Sequence, residues 1–510
     1  MKKMKILYCL FLVVALTIQS CDEATIELDP IGDTEAGFFQ NETQMTQAVM
    51  GIYQKMSFFY GFRGNAWLAG IWLLPDDNLT TQGGHEFENF VGLTGSNGSL
   101  GSYYQYAYQL IARANTLLAK IEENKDFAYN IQPELMNYHR GEALFLRAWM
   151  YFRLWNTFGS AAPLVTQRIT NLDDAYPPSS TGTQLLDQAI IDLQEAATLL
   201  PDAWNAENKG RVTANSALGL AGKILVFRGN VSGQNADFTA AITAFNSMNN
   251  VALMPKYGDN FDATKENNAE SLFEFQANDQ SSETNPFLNN DDFSVVGEIG
   301  AYVGFFTQEP DWIGSNFYTA TQTLKNAFEP GDPRIPYIVN LDAADLKNVV
   351  KYIKDGNRVG NWAVGYNIQR NNLRILRYAD ILLLKAEALV RSGASTSEAI
   401  GLINQVRQRA RMSTANGVEA VVPANLNTGE TNVNTILDWI FKERRIELAF
   451  EEGHRWFDLR RRHMAGEIDL KTWNFGSLKP DFSFKDYNVS FPIPEGEVIQ
   501  NPNLVQNTGY

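Results

Sequence analysis

The chain has 510 residues, 45% of them hydrophobic and 20% charged, and carries a net charge of −16. This is the composition of an ordinary globular protein, long enough to bury about three quarters of the surface its unfolded chain exposes. Such acidity makes the chain a poor general binder of nucleic acid or of anionic lipid, because both need clustered Lys and Arg.

The first element is a targeting segment. Lys2, Lys3 and Lys5 open the chain, and residues 6–18 are apolar apart from Thr17. A membrane span needs roughly 20 apolar residues, whereas the core of an export signal needs about 7–15. Residues 1–20 are therefore expected to be a signal that is removed, leaving residues 21–510 as a single domain. Cleavage before Cys21 would place that thiol at the new N-terminus, the position at which a bacterial lipoprotein is acylated. Ser20 and Ile18 suit the recognition box and Gln19 departs from it. The other cysteine, Cys9, lies in the removed segment, so stability must come from the core and not from disulfides.

Helical periodicity then dominates. Residues 104–121 and 142–158 are the first clear helices, and the second, "EALFLRAWMYFRLWNTF", is apolar on two sides, as expected of a helix packed between neighbours. Helices follow at 184–200, ending before Pro201, at 214–228, closed by Gly229, and at 237–248. Residues 374–410 predict a helix, a stop at Gly393, a capping box of Ser395 and Glu398, and a second helix, a unit close in length to the roughly 34 residues of a tetratricopeptide pair. Residues 435–463 predict one last helix. Two stretches, 61–101 and 249–372, lack periodicity beyond scraps such as "SLFEFQ", yet their aromatics argue against disorder. They are expected to fold over the helices, where a site would be built.

Motifs of chemistry are scarce. The four histidines, His85, His139, His454 and His463, include no HExxH pair, and there is no GxSxG elbow, phosphate loop or GxGxxG. Asp76 with Asp77, or Glu451 with Glu452, could in principle serve a glycosidase, but adjacent acids are more often solvated or hydrogen-bonded. No catalytic residue, metal or cofactor is expected. The densest charge pattern, "KERRIELAFEEGHRWFDLRR" at 442–461, places Arg444 with Glu447, Glu451 with Arg455, and Arg455 with Asp458 at helical spacing. It predicts a structural helix laced by local ion pairs.

That stretch, with "RYADILLLKAEAL", "INQVRQRA" and the ending "FPIPEGEVIQNPNLVQNTGY", resembles the SusD/RagB family of outer-membrane lipoproteins of Bacteroidetes. Upstream, "IARAN", "EALFLRAWMYFRLWNTFGSAAPL" and "RVTANSALGLAGKILVFRGN" match in the family's order, so the resemblance runs over nearly the whole chain from Cys21. It implies an all-α fold of about four tetratricopeptide-like helical pairs with a loop-rich second part. It also implies a surface protein that captures a nutrient, usually a glycan, and closes as a lid over a SusC-like TonB-dependent transporter. Acylated Cys21 would hold it in outer-membrane lipid, with Asp22 and Glu23 resembling the signal for the outer face. A lid for peptides and a tetratricopeptide scaffold for protein partners are the alternatives.

A glycan site needs flat aromatic faces and a few polar groups for the hydroxyls. The irregular stretches offer Trp67, Tyr103, Trp312, Tyr318 and Trp362 as rings, and Arg63, Asp76, Asp77, Asn78 and His85 as polar groups. The resemblance puts contacts at 76–103 and about 297–318, with Trp312 the first choice. A neutral glycan is expected, since Arg63 is the lone basic candidate.

Overall fold

The computed structural model describes residues 35, 37–60, 68–81, 85–277, 318–341, 349–352, 371–476 and 482–510. The expected signal, Cys21, Arg63, Trp67, Trp312 and Trp362 lie outside the described residues, and of Tyr318 only the backbone is described.

The scaffold is a succession of helices, each packed on the next: α1 (Glu42–Lys55), α2 (Gly98–Asn124), α3 (Glu134–Phe158), α4 (Gln184–Leu199), α5 (Ala214–Ser232), α6 (Asn235–Asn246), α7 (Tyr378–Arg391), α8 (Thr396–Met412) and α9 (Val433–Glu447). Side-chain caps start many of them. Asn41, Asn97 and Asn432 each accept from a backbone N–H in the first turn, and Thr213 and Ser216 form a reciprocal box at α5. At α8 Ser395 caps as expected, but Glu398 turns its carboxylate to Lys385, 3.3 Å away. Helix α3 is buried all round over its last four turns, as two apolar faces require. A second apolar cluster joins α7, α8 and α9.

Four expectations need correction. Helix α1 escaped notice because its buried Met45, Val49 and Ile52 are diluted by polar residues, so its apolar stripe is narrow. Gly229 does not end α5. It lets α6 approach, with a Cβ there meeting Asp237 Cβ at 3.0 Å and the Phe238 ring at 3.1 Å, and the helix ends at Gly233 in the left-handed region. "RILR" is not helical: Leu373–Arg377 is a strand, antiparallel to Ser271–Phe275, which contains the strand-like "SLFEF". The last helix is two, α9 and α10 (His454–Met464), separated by Phe450, Glu452 and Gly453 at positive φ. A Cβ on Gly453 would stand 2.7 Å from the Trp72 carbonyl oxygen, so only glycine fits this turn.

The break has an electrostatic logic. Glu451 points to Lys351 (2.6 Å) and Arg377 (2.8 Å), whereas Glu452 points to Arg153 (2.5 Å) and the Tyr60 hydroxyl (2.9 Å). The turn sends these neighbouring carboxylates to two different sets of partners. The expected local pairs are replaced by long-range ones. Arg444 binds Asp380 (2.5 Å) and Asp458 (2.7 Å), Glu447 gathers Arg334, Arg377 and Arg409, and Arg455 binds Asp77 (2.7 Å). All of these side chains are buried. A buried charge must satisfy several lone pairs or N–H groups at once, which a single helical neighbour cannot do. Burial opposes charge on Glu447, but Arg409, Arg377 and Arg334 together hold its carboxyl well below the usual range.

Candidate ligand-binding site

The two aperiodic stretches meet. From Asp76 the chain makes a tight turn in which Asp76 Oδ1 accepts from the N–H groups of Asn78 (2.8 Å) and Leu79 (3.0 Å). It then enters strand Leu79–Thr81, which pairs antiparallel with Tyr318–Ala320: Leu79 with Ala320, Thr80 with Thr319, Thr81 with Tyr318. The short ladder is bolted from below. Thr321 and Thr323 hydroxyls donate to the Asp77 carbonyl at 2.6 and 3.0 Å, and Thr321 N–H donates to Asn78 O at 2.9 Å. Arg445 donates to the same Asp77 carbonyl and to Asn78 Oδ1, both at 2.8 Å. The Asp77 carboxylate takes two bonds from Arg455, at 2.7 and 2.9 Å, and one from the Trp473 indole at 3.1 Å.

This anchor separates two adjacent acids. Burial, reinforced by the charge of Asp77, pushes Asp76 up to about 7. Burial works against Asp77 too, but Arg455 and Arg445 hold it down at about 2. Glu88 steadies the far end of the first strand through the hydroxyl of Thr80 (2.5 Å) and the N–H of Thr81 (3.1 Å).

The candidate residues thus divide. Asp76 and Asn78 are buried in the anchor, and Tyr103, on α2, is buried beside Phe59 and Trp72 with its hydroxyl 3.2 Å from Arg153 Nε. The side chains of Asp76 and Asn78 belong to the base of the ladder and that of Tyr103 to the helical core. His85 is half-buried and caps the short helix Glu86–Asn89, its Nδ1 accepting from Phe87 N–H at 3.3 Å and its ring stacked on Phe87. The backbone of Tyr318 stands in the ladder opposite Thr81. Arg445, Arg455, Thr321, Thr323 and Trp473 were not foreseen here. Arg445 left a signal, since no acid lies three or four residues from it in either direction, so its partner had to be distant.

Other groups of titratable side chains lie elsewhere in the fold. A cavity of about 20 Å³ between α3, α5 and α10 is lined by Arg153, Lys223, Glu452 and His454 among aromatic rings, which is room for one water and no substrate. His139 sits between the Thr46 hydroxyl (3.2 Å) and the Tyr129 hydroxyl (3.1 Å), and burial pushes it down to about 3. His463, Asp469 and Asp486 bring ligand atoms within 4.8 Å of one another, but Lys471 already sits 3.0 Å from Asp486 as its cation. Among the described residues no helix is long and apolar enough to cross a membrane.

Comparison with known proteins follows the same outline. Residues 246–510 match the model of the SusD family, and residues 77–226 match a model described as starch-binding associating with outer membrane. SusD-like protein P2 of Formosa agariphila is 28% identical across the whole of both chains. A SusD-like protein of Bacteroides ovatus is 24% identical over 87% of this chain and 80% of its own. Among solved structures, a laminarin-binding SusD-like protein superposes with a TM-score of 0.70 at 24% identity, covering 92% of this chain and 100% of the other. Surface glycan-binding protein A of Bacteroides thetaiotaomicron, in complex with laminarihexaose, gives 0.68 at 22% identity, covering 92% and 99%.

Proposed function

This chain belongs to the SusD family, and from that premise we propose that it is a non-catalytic glycan-binding lipoprotein of the outer membrane. It captures oligo- or polysaccharide at the cell surface and passes it to a SusC-like TonB-dependent transporter, held in place by acylated Cys21. The observation that carries the binding role is the ladder between Leu79–Thr81 and Tyr318–Ala320. It fixes the two aperiodic, aromatic-rich stretches to each other on an ion-paired base, so rings from both can flank one sugar chain. Arg63, Trp67, His85, Trp312, Tyr318 and Trp362 are the proposed contacts, with Trp312 the principal platform. The names of laminarin-binding relatives point to the same ligand class.

Gel retardation against a polysaccharide panel, with reducing-sugar release measured in parallel, tests this. Retardation by at least one polysaccharide without sugar release is expected; binding of short peptides alone, or release of sugar, would replace the reading. The anchor is tested separately: Cys21→Ala should move the protein from the membrane to the soluble fraction with its fold intact, since stable attachment needs two or more acyl chains.

A further inference from the structure

Away from the ladder, a groove of about 470 Å³ runs between α2, the loop at 163–177 and the C-terminal helix Glu495–Gln500. That volume is within the range of small-molecule sites. Its floor is tyrosine: the rings of Tyr104 and Tyr108 lie 4.5 Å apart, and Tyr108 donates to the Pro163 carbonyl at 2.7 Å. Its rim carries Tyr176, 43% exposed. Two acceptors stand out. Gln109 Oε1 is buried with no hydrogen-bond partner among the described residues. The Glu497 carboxylate is half-buried, with burial raising it and no cation among the groups acting on it. Arg168, the one cation among the described residues of the lining, is engaged by Glu35 through two bonds of 2.6 and 2.5 Å.

We propose that this groove is a second glycan-binding site, taking a neutral, hydroxyl-rich oligosaccharide along α2. Hydroxyls supply the donors that Gln109 and Glu497 lack, and the side-chain amides of Gln105, Gln167 and Gln500 can both give and take hydrogen bonds with them. The aromatic rim offers a face for sugar C–H groups. The uncompensated carboxylate repels sulfated or uronic chains. Addition of a peptide as an extra strand would need a sheet edge, and neither two-stranded ladder lines the groove. The site shares its ligand class with the function proposed above but none of its residues.

The test is hydroxyl-radical footprinting with isothermal titration of the full mature chain against a panel of neutral hexasaccharides, laminarihexaose among them. Wild type is compared with Tyr176→Ala, Gln109→Leu and Trp312→Ala. At least one sugar should protect Tyr176 from oxidation, Gln109→Leu should weaken that protection about tenfold, and Trp312→Ala should leave it unchanged. Tyr176→Ala should remove one of two binding events from the titration. If sugars bind and Tyr176 stays reactive, the groove is overturned while the ladder site stands. If Tyr176 is protected and Trp312→Ala alters nothing, the groove stands and the ladder site falls. If no sugar binds, both fall.

Discussion

The ionic centre around α9 and α10 and the ladder end around Thr81 and Tyr318 are built on opposite principles. In the centre, Asp380, Asp458, Glu387 and Glu447 each have at least two cations, Arg444 and Arg461 each bridge two acids and Arg377 three, and all are buried. At the ladder end, only the base is of this kind, where Asp77 binds Arg455 and Arg445. Beyond it both strands continue into the aperiodic stretches of the sequence. Dense buried charge among the described residues therefore marks structure, and the ligand contacts are proposed in the aperiodic stretches.

The largest effect that would break this contrast is in the centre. Arg444→Ala leaves Asp380 and Asp458 short of their shared guanidinium, and should cost about 3–5 kcal/mol, read as a fall in melting temperature or in denaturation midpoint. Sugar affinity of the molecules that remain folded should not change. A variant of native stability with binding lost would move the site into the centre.

Gly453→Ala probes the turn that separates the two charged helices. A Cβ at φ +70 pressed against the Trp72 carbonyl should cost about 1–3 kcal/mol, measured by chemical denaturation. An unchanged midpoint would mean that the break between α9 and α10 is not held by this close approach.

Asp76→Asn sharpens the comparison at the base of the ladder. Asp76 titrates near 7 in the fold against 3.8 outside it, so the folded state holds more protons between those values. Its contribution to stability is present below about pH 4 and is lost as pH rises through 7. Asparagine keeps the acceptor of the turn and removes the titration, so the variant should be flatter in stability from pH 5 to 8 and more stable at pH 8 by about 1–2 kcal/mol. Asp77 works in the opposite window: its depressed value favours folding above about pH 4 and that gain disappears as pH falls towards 2. A wild-type curve with no loss between pH 5 and 8 would contradict the buried, protonated Asp76.

The smallest effect is expected at the surface. Glu35 is pulled down to about 2 by hydrogen bonds from Arg168 and Lys120, yet it is exposed. Exposed pairs contribute little, so Glu35→Gln should leave the thermal melt where it was. A clear drop would show that the N-terminal end is tied down more firmly than one solvated pair allows.

Much of the helical scaffold was legible because its faces are strongly periodic, as in α3 and α4, and because caps such as Ser395 are local. The fold class was legible from motifs spread along the chain. Three things were hidden for physical reasons. Gly229 and Gly453 look alike in sequence, but one permits a helix crossing and the other a left-handed turn, a difference set by what packs against them. Arg444 and Arg455 have acids at helical spacing, so local pairing was the natural expectation; burial chose distant partners instead. The ladder joins residues more than two hundred apart, and no periodicity announces that Thr81 and Tyr318 face each other. Of the expected contacts, Asp76, Asn78 and Tyr103 are buried, because their polar groups are engaged by the backbone turn, Arg445 and Arg153.

The separation of structure from binding is tested most directly by titrating the polysaccharide that retards wild type into Trp312→Ala and Arg444→Ala, with a thermal melt of each. Trp312→Ala should weaken binding about tenfold or more, at about 1.4 kcal/mol per decade, and should keep the wild-type melt. Arg444→Ala should lower the melt and keep the affinity. The reverse pattern, a destabilised Trp312→Ala that binds normally beside a stable Arg444→Ala that does not bind, would contradict the account.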